Sequence, residues 1–75
     1  MIKNIIKSDM YEIVLRENFL HIKNYINVLE IYPNKIIILL KNKKLIINGN
    51  DLIISALDEY EILIKGNIKG IDFNE

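Results

Sequence analysis

The side chains able to do chemistry in this chain are few. His21 is the only histidine, Ser8 and Ser55 are the only serines, and there is no threonine or cysteine. A nucleophile–base–orienter set needs a hydroxyl or thiol beside a histidine, and this inventory scarcely permits one. A metal site needs several ligands, and His21 has no HxH or HxxxH partner and no cysteine to join it. It reads as a single surface or half-buried histidine in a strand, with Lys23 the nearest charge on its own face. Asp58, Glu59 and Glu61 could supply a pair of carboxylates for acid–base work. Their tight clustering beside Tyr60 reads as a solvated turn. Gly49, Gly66 and Gly70 are dispersed, so no glycine-rich loop cradles a phosphate. The residues therefore speak against an enzyme: no catalytic residue is assigned, and no cofactor, metal or small-molecule substrate is expected.

Binding to nucleic acid would need exposed aromatic side chains interleaved with basic ones. Tyr11, Phe19, Tyr25 and Tyr32 lie near Arg16 and Lys23 in sequence, which keeps a small nucleic-acid-binding β domain as an alternative. The formal net charge of zero provides no global basic field, so nucleic acid is not the expected partner.

The elements that carry these residues have a period of two. Tyr11, Ile13 and Leu15 share one face, with Glu12, Val14 and Arg16 on the other. Glu17-Asn18 bends the chain, and Phe19 to Lys23 alternates again. Asn24 marks a corner. Tyr25 to Tyr32 is a further β-rich run, closed by Pro33-Asn34-Lys35, where proline has no N–H for a ladder. Ile36 to Leu40 is an unbroken apolar run of strand length. Lys41 to Lys44 reads as a hairpin connector. Spacing of this kind predicts an all-β domain: a small antiparallel β-sandwich of about seven short strands, with a small barrel or short β-solenoid as alternatives. At 75 residues the chain has room for a single domain, residues 1–75. Ile2, Ile5 and Ile6 have helical spacing, so residues 1–10 read as a loosely ordered or short amphipathic N-terminal segment.

The second half is organised by a repeated phrase. Leu45-Ile46-Ile47-Asn48-Gly49-Asn50 is followed by Ile62-Leu63-Ile64-Lys65-Gly66-Asn67. Each reads as a strand running into a Gly-Asn corner, because glycine takes positive φ freely and asparagine tolerates it. Gly49, Asn50, Gly66 and Asn67 are thus the expected structural turns. They separate strands at Leu45–Asn48, Leu52–Leu57, Ile62–Lys65 and Ile68–Phe73, with a bulge or close contact at Gly70.

Half of the composition is hydrophobic (51%), which is high for a short chain without disulfides. Residues 1–44 hold eight basic and four acidic side chains, and residues 45–75 hold two and six. Either the strands fold back and mix the two signs, or the molecule is dipolar and associates head to tail or meets an anionic surface with one end. No apolar run approaches a transmembrane helix and the start lacks a signal-peptide pattern, so a cytoplasmic location is expected.

One feature exceeds the needs of a core. Leu45-Ile46-Ile47 and Leu52-Ile53-Ile54 are apolar on both strand faces, whereas a two-sheet sandwich has one buried face per sheet. Ile37, Leu39, Ile46, Ile53 and Leu63 are expected opposite the core, as a candidate interaction surface. This points to a docking or assembly module that buries a second β-face or an open edge against a partner, or to a self-assembling scaffold subunit.

Several fragments taken in order carry a likeness. Glu17-Asn18 leads into Leu20-His21-Ile22, then Val28-Leu29-Glu30. Leu45 to Asn48 continues through Gly49-Asn50-Asp51-Leu52, and Glu61 to Ile68 is followed by Ile71-Asp72-Phe73. Over roughly residues 12–73 the chain resembles the YabP/YqfC family of sporulation proteins, closer to the YqfC branch. The resemblance implies a small all-β protein of the mother cell, needed for spore development. It also implies a position near the forespore-surrounding membrane and a membrane-protein partner of the sporulation programme, with self-association as a further possibility. The family pattern usually has glycine before the Leu45 strand, where Lys43-Lys44 stand, and often at Asn24. Those turns must be made here without glycine. The family offers no catalytic residues to carry over.

Overall fold

A computed structural model describes residues 2–7 and 10–74. They form seven strands and no helix: β1 (Ile2–Lys7), β2 (Glu12–Arg16), β3 (Phe19–Lys23), β4 (Asn27–Tyr32), β5 (Lys35–Leu40), β6 (Lys43–Leu57) and β7 (Glu61–Asn74). All pairings are antiparallel, in the order β1-β2-β3-β7-β6-β5-β4.

The N-terminal segment differs from its helical spacing. Ile2–Lys7 pairs with β2 as an edge strand. Two turns of helix are not stable alone in water, whereas a strand here satisfies backbone groups that β2 would otherwise expose. Ser8 and Asp9 lie outside the described residues.

The turns between the early strands follow the residues expected to make them. Pro33-Asn34 joins β4 to β5, and Lys41-Asn42 joins β5 to β6. Asn24 (φ 61°) and Asn42 (φ 69°) take the left-handed conformation without glycine. Asparagine tolerates that region because its short polar side chain can bond the local backbone.

The main correction concerns residues 45–73. Four short strands separated by Gly-Asn turns are in fact two long strands, β6 and β7, of 15 and 14 residues. The two repeated phrases do not end strands; they face one another across the hairpin, with Gly49 opposite Ile68 and Asn50 opposite Asn67. Directly beyond, Asp51 and Leu52 on β6 oppose Gly66 alone on β7, a bulge that bends the ribbon. Positive φ falls on Asp51 (54°) and Gly66 (133°), not on Asn50 or Asn67.

At this bend the freed N–H groups find other acceptors. Gly49 and Leu52 donate to the carbonyls of Asn34 and Pro33 (3.2 and 2.8 Å), and Gly66 donates to the carbonyl of Asn18 (3.3 Å). The β4–β5 and β2–β3 turns thus buttress the bend. No side chain fits there: a Cβ on Gly49 would lie 2.1 Å from the Asn67 carbonyl oxygen, and one on Gly66 2.6 Å from that of Asp51. Gly70 has open space instead, next to the bulge at Lys69.

The bend divides the sheet into two layers. The first holds β1, β2, β3, residues 61–65 of β7 and residues 53–57 of β6. The second holds β4, β5, residues 43–50 of β6 and residues 67–74 of β7. Ile13, Leu20, Ile22, Ile62 and Ile64 of the first layer and Ile36, Ile38, Leu40, Leu45 and Ile47 of the second are each under 2% exposed. With no helix among the described residues, one sheet seals ten such side chains only by folding onto itself. The result is a small antiparallel sandwich. A solenoid would stack its repeats in parallel, and these repeats pair antiparallel. Each buried aliphatic side chain contributes about 1.5–3 kcal/mol of transfer free energy. The connection from β3 to β4 ties the layers at the far end: Asn24 N–H donates to the Tyr60 carbonyl (2.6 Å) and Ile26 N–H to that of Leu39 (2.8 Å).

Candidate interaction surfaces

Inward alternation leaves each layer an outward face, and the register places the side chains on it. On the first layer one row runs Glu12, Lys23, Glu61 and a second runs Val14, His21, Leu63, Ala56. A third runs Phe19, Lys65, Ile53. Polar side chains meet along and between these rows. His21 Nε2 lies 2.9 Å from Glu61 Oε1, and Lys23 Nζ lies 4.0 Å from Glu12 Oε1. The Arg16 guanidinium sits 5.4 Å from the centre of the Phe19 ring.

A shallow depression of about 410 Å³ lies over this face. Leu63 and Ala56 line it with Phe19, and His21 and Glu61 stand at its polar side. Asp58 shapes the adjoining turn. Its carboxylate accepts the N–H groups of Tyr60 and Glu61, both at 2.8 Å, and these bonds hold its carboxyl below the ordinary carboxylate range. The Tyr25 hydroxyl donates to the Asp58 carbonyl. The acidic cluster thus serves the β6–β7 turn, and Glu61 serves His21. Among the described residues no group of three or more histidine, aspartate or glutamate side chains could hold a metal ion. Ser55 is exposed at the bulge between Ile54 and Ala56.

The aromatic residues are scattered. Tyr11 is buried in the core, Phe19 lies on the first outward face, Tyr25 is on the layer connection and Tyr32 is on the second face. They do not form one stacking platform.

The second outward face has three rows. Its middle row is Glu30, Ile37, Ile46, Asp72. On one side lies the row Tyr32, Lys35, Asn48, Gly70, and on the other Asn27, Leu39, Lys44, Asn74. Its centre is apolar, with Ile37 directly opposite Ile46 and Leu39 beside them, all three half-buried. Glu30, Asp72, Lys35 and Lys44 ring that centre, are exposed, and form no ion pair with another described residue. Beside them, β4 is an open edge whose Leu29, Ile31 and Tyr32 are exposed.

The five residues expected to form one surface are therefore divided. Ile37, Leu39 and Ile46 lie together on the second layer, while Leu63 and Ile53 (58% exposed) lie on the first. The sequence pattern also missed the His21–Glu61 pair, whose partners come from opposite halves of the chain. Only the β3–β7 register brings them together.

No helix among the described residues is long and apolar enough to cross a membrane. No curated protein and no solved structure matches the chain. The fragments behind the resemblance fall on the β2–β3 turn, β3, β4, the bend and the β6–β7 ribbon, so they are elements that build the sandwich itself. The YabP family model matches residues 7–75, nearly the whole of this architecture, and the chain belongs to the YabP family.

Proposed function

We propose that this protein is a non-enzymatic docking module of the sporulation programme, which works through the outward face of its second layer. Membership of the YabP family is consistent with a sporulation-related protein. The observation that carries the docking role is the apolar centre Ile37–Ile46–Leu39 on a layer whose inner face already completes the core. Apolar side chains grouped outside a finished core gain most by burial against a partner. In this reading the protein stands with the YqfC branch, acts in the mother cell as a peripheral protein of the forespore-surrounding membrane, and meets an integral membrane protein there.

The test is recovery of partners from sporulating cells, with and without detergent. Wild type is expected to retain one integral membrane protein, and Ile37→Thr/Ile46→Thr to lose it. Leu63→Thr on the opposite face should leave it bound. Equal recovery by all three proteins, or none by wild type, would overturn the proposal.

A further inference from the structure

The four charges around the apolar centre, none in an ion pair with another described residue, are arranged so that the face complements itself. From the midpoint between Ile37 and Ile46, Glu30 and Asp72 lie one and a half strand spacings to either side, about 7 Å. Lys35 and Lys44 lie two residues along their strands in opposite directions, again about 7 Å. The two acidic positions thus mark the ends of one axis and the two lysine positions the ends of an axis roughly across it, at similar radius.

Stacking two copies of this face with strands aligned sets Glu30 against Glu30 or Asp72 of the other copy. A quarter turn changes every one of these meetings. With strands crossed at right angles about a two-fold axis in the interface, each carboxylate falls within about 3 Å, laterally, of a lysine position on the other copy. About one diagonal axis Glu30 meets Lys44 and Asp72 meets Lys35, and about the other Glu30 meets Lys35 and Asp72 meets Lys44, twice each by symmetry. Ile37 and Ile46 cross over their counterparts at the centre. Orthogonal packing is one of the two arrangements that sheets adopt face to face.

We infer that the second layer binds a second copy of this chain, as a two-fold dimer with crossed sheets. The inference rests on reading this face as a working surface: the second copy covers it in the free protein and competes there with the membrane protein. The face covers on the order of 400 Å² per copy, which is the size of weak, reversible pairs. The charges set the angle and exclude the aligned modes more than they add affinity.

Sedimentation velocity over a concentration series tests this with charge variants, all at exposed positions. Wild type should dimerise reversibly. Glu30→Lys/Asp72→Lys makes all four charges positive and Lys35→Glu/Lys44→Glu makes all four negative; each should weaken self-association about tenfold or more. The fourfold exchange has the wild-type net charge and should restore it. A wild type monomeric up to its highest soluble concentration, two-charge variants that pair as wild type does, or a fourfold variant that stays monomeric would each overturn the inference. Failure of the docking proposal is read separately: membrane-protein recovery that depends on Ile37 and Ile46 while wild type is monomeric removes only the second copy.

Discussion

The two outward faces of this sandwich solve the same problem differently. Each is the far side of a layer whose inner side chains are sealed in one core. On the first layer the charges are spent locally: Glu61 on His21, Glu12 on Lys23, and Arg16 on the Phe19 ring. On the second, Glu30, Lys35, Lys44 and Asp72 have no ion-pair partner among the described residues, and they surround isoleucines instead of one another. A face whose charges pair across its own strands is finished in the monomer. A face with separated charges around an apolar centre leaves both terms to be satisfied from outside. Both faces use the same few residue types, and they differ in whether those side chains close onto one another.

The contrast exists only because the ribbon bends, and breaking the bend has the largest expected effect. Gly66→Ala adds a clash with the Asp51 carbonyl to a φ of 133°, and Gly49→Ala drives a Cβ into the Asn67 carbonyl. Each should cost about 3 kcal/mol or more in urea unfolding. Gly70→Ala points into open space and should stay within about 0.5 kcal/mol of wild type.

Neighbours on β6 separate inside from outside next. Ile47→Ala removes a side chain sealed in the core and should cost about 2–5 kcal/mol. Ile46→Ala, on the outward face, should cost about 1 kcal/mol or less while weakening the recovery of partners. Equal destabilisation by the two would erase the distinction between faces.

The charge pairs of the first face come after these. Glu61→Gln weakens the acceptor beside His21 Nε2 and should lose about 0.2–1 kcal/mol, since both partners are partly exposed. The smallest effect belongs to Asp58. Its folded pKa is depressed by the Tyr60 and Glu61 N–H groups, so the stability it lends is full above the ordinary carboxylate pKa of about 3.9. That stability is lost as pH falls through the folded value. Asp58→Ala should therefore flatten the acid limb of the stability profile and leave the slope above pH ~5 unchanged, as read by urea midpoints across pH.

What was legible in the chain is what repeats locally. Alternation grouped Tyr11 and Ile13 with Leu15, and Leu20 with Ile22, on the sides that turn inward; the connectors read at residues 33–35 and 41–44 are turns at their first two residues; and apolar residues on both sides of β5 and β6 announced a second face. The two Gly-Asn phrases were visible as backbone devices, but their role was misread. A glycine followed by asparagine describes a corner equally well as the middle of a bent strand, and the choice depends on what lies opposite. Here each phrase lies opposite the other, and the carbonyls of Asn18, Pro33 and Asn34 accept what the bend leaves unpaired.

The chain's local pattern dictated strands, their inner and outer sides and most of the core, because a period of two is carried by neighbours in sequence. Tertiary structure alone decided which outer residues share a face. Register is set between segments far apart in the chain, and a bend turns one continuous strand surface into two that look in different directions. That is why Ile46 and Leu63, equivalent residues of the two repeated phrases, work on different layers. It is also why four charges scattered from Glu30 to Asp72 become a single ring.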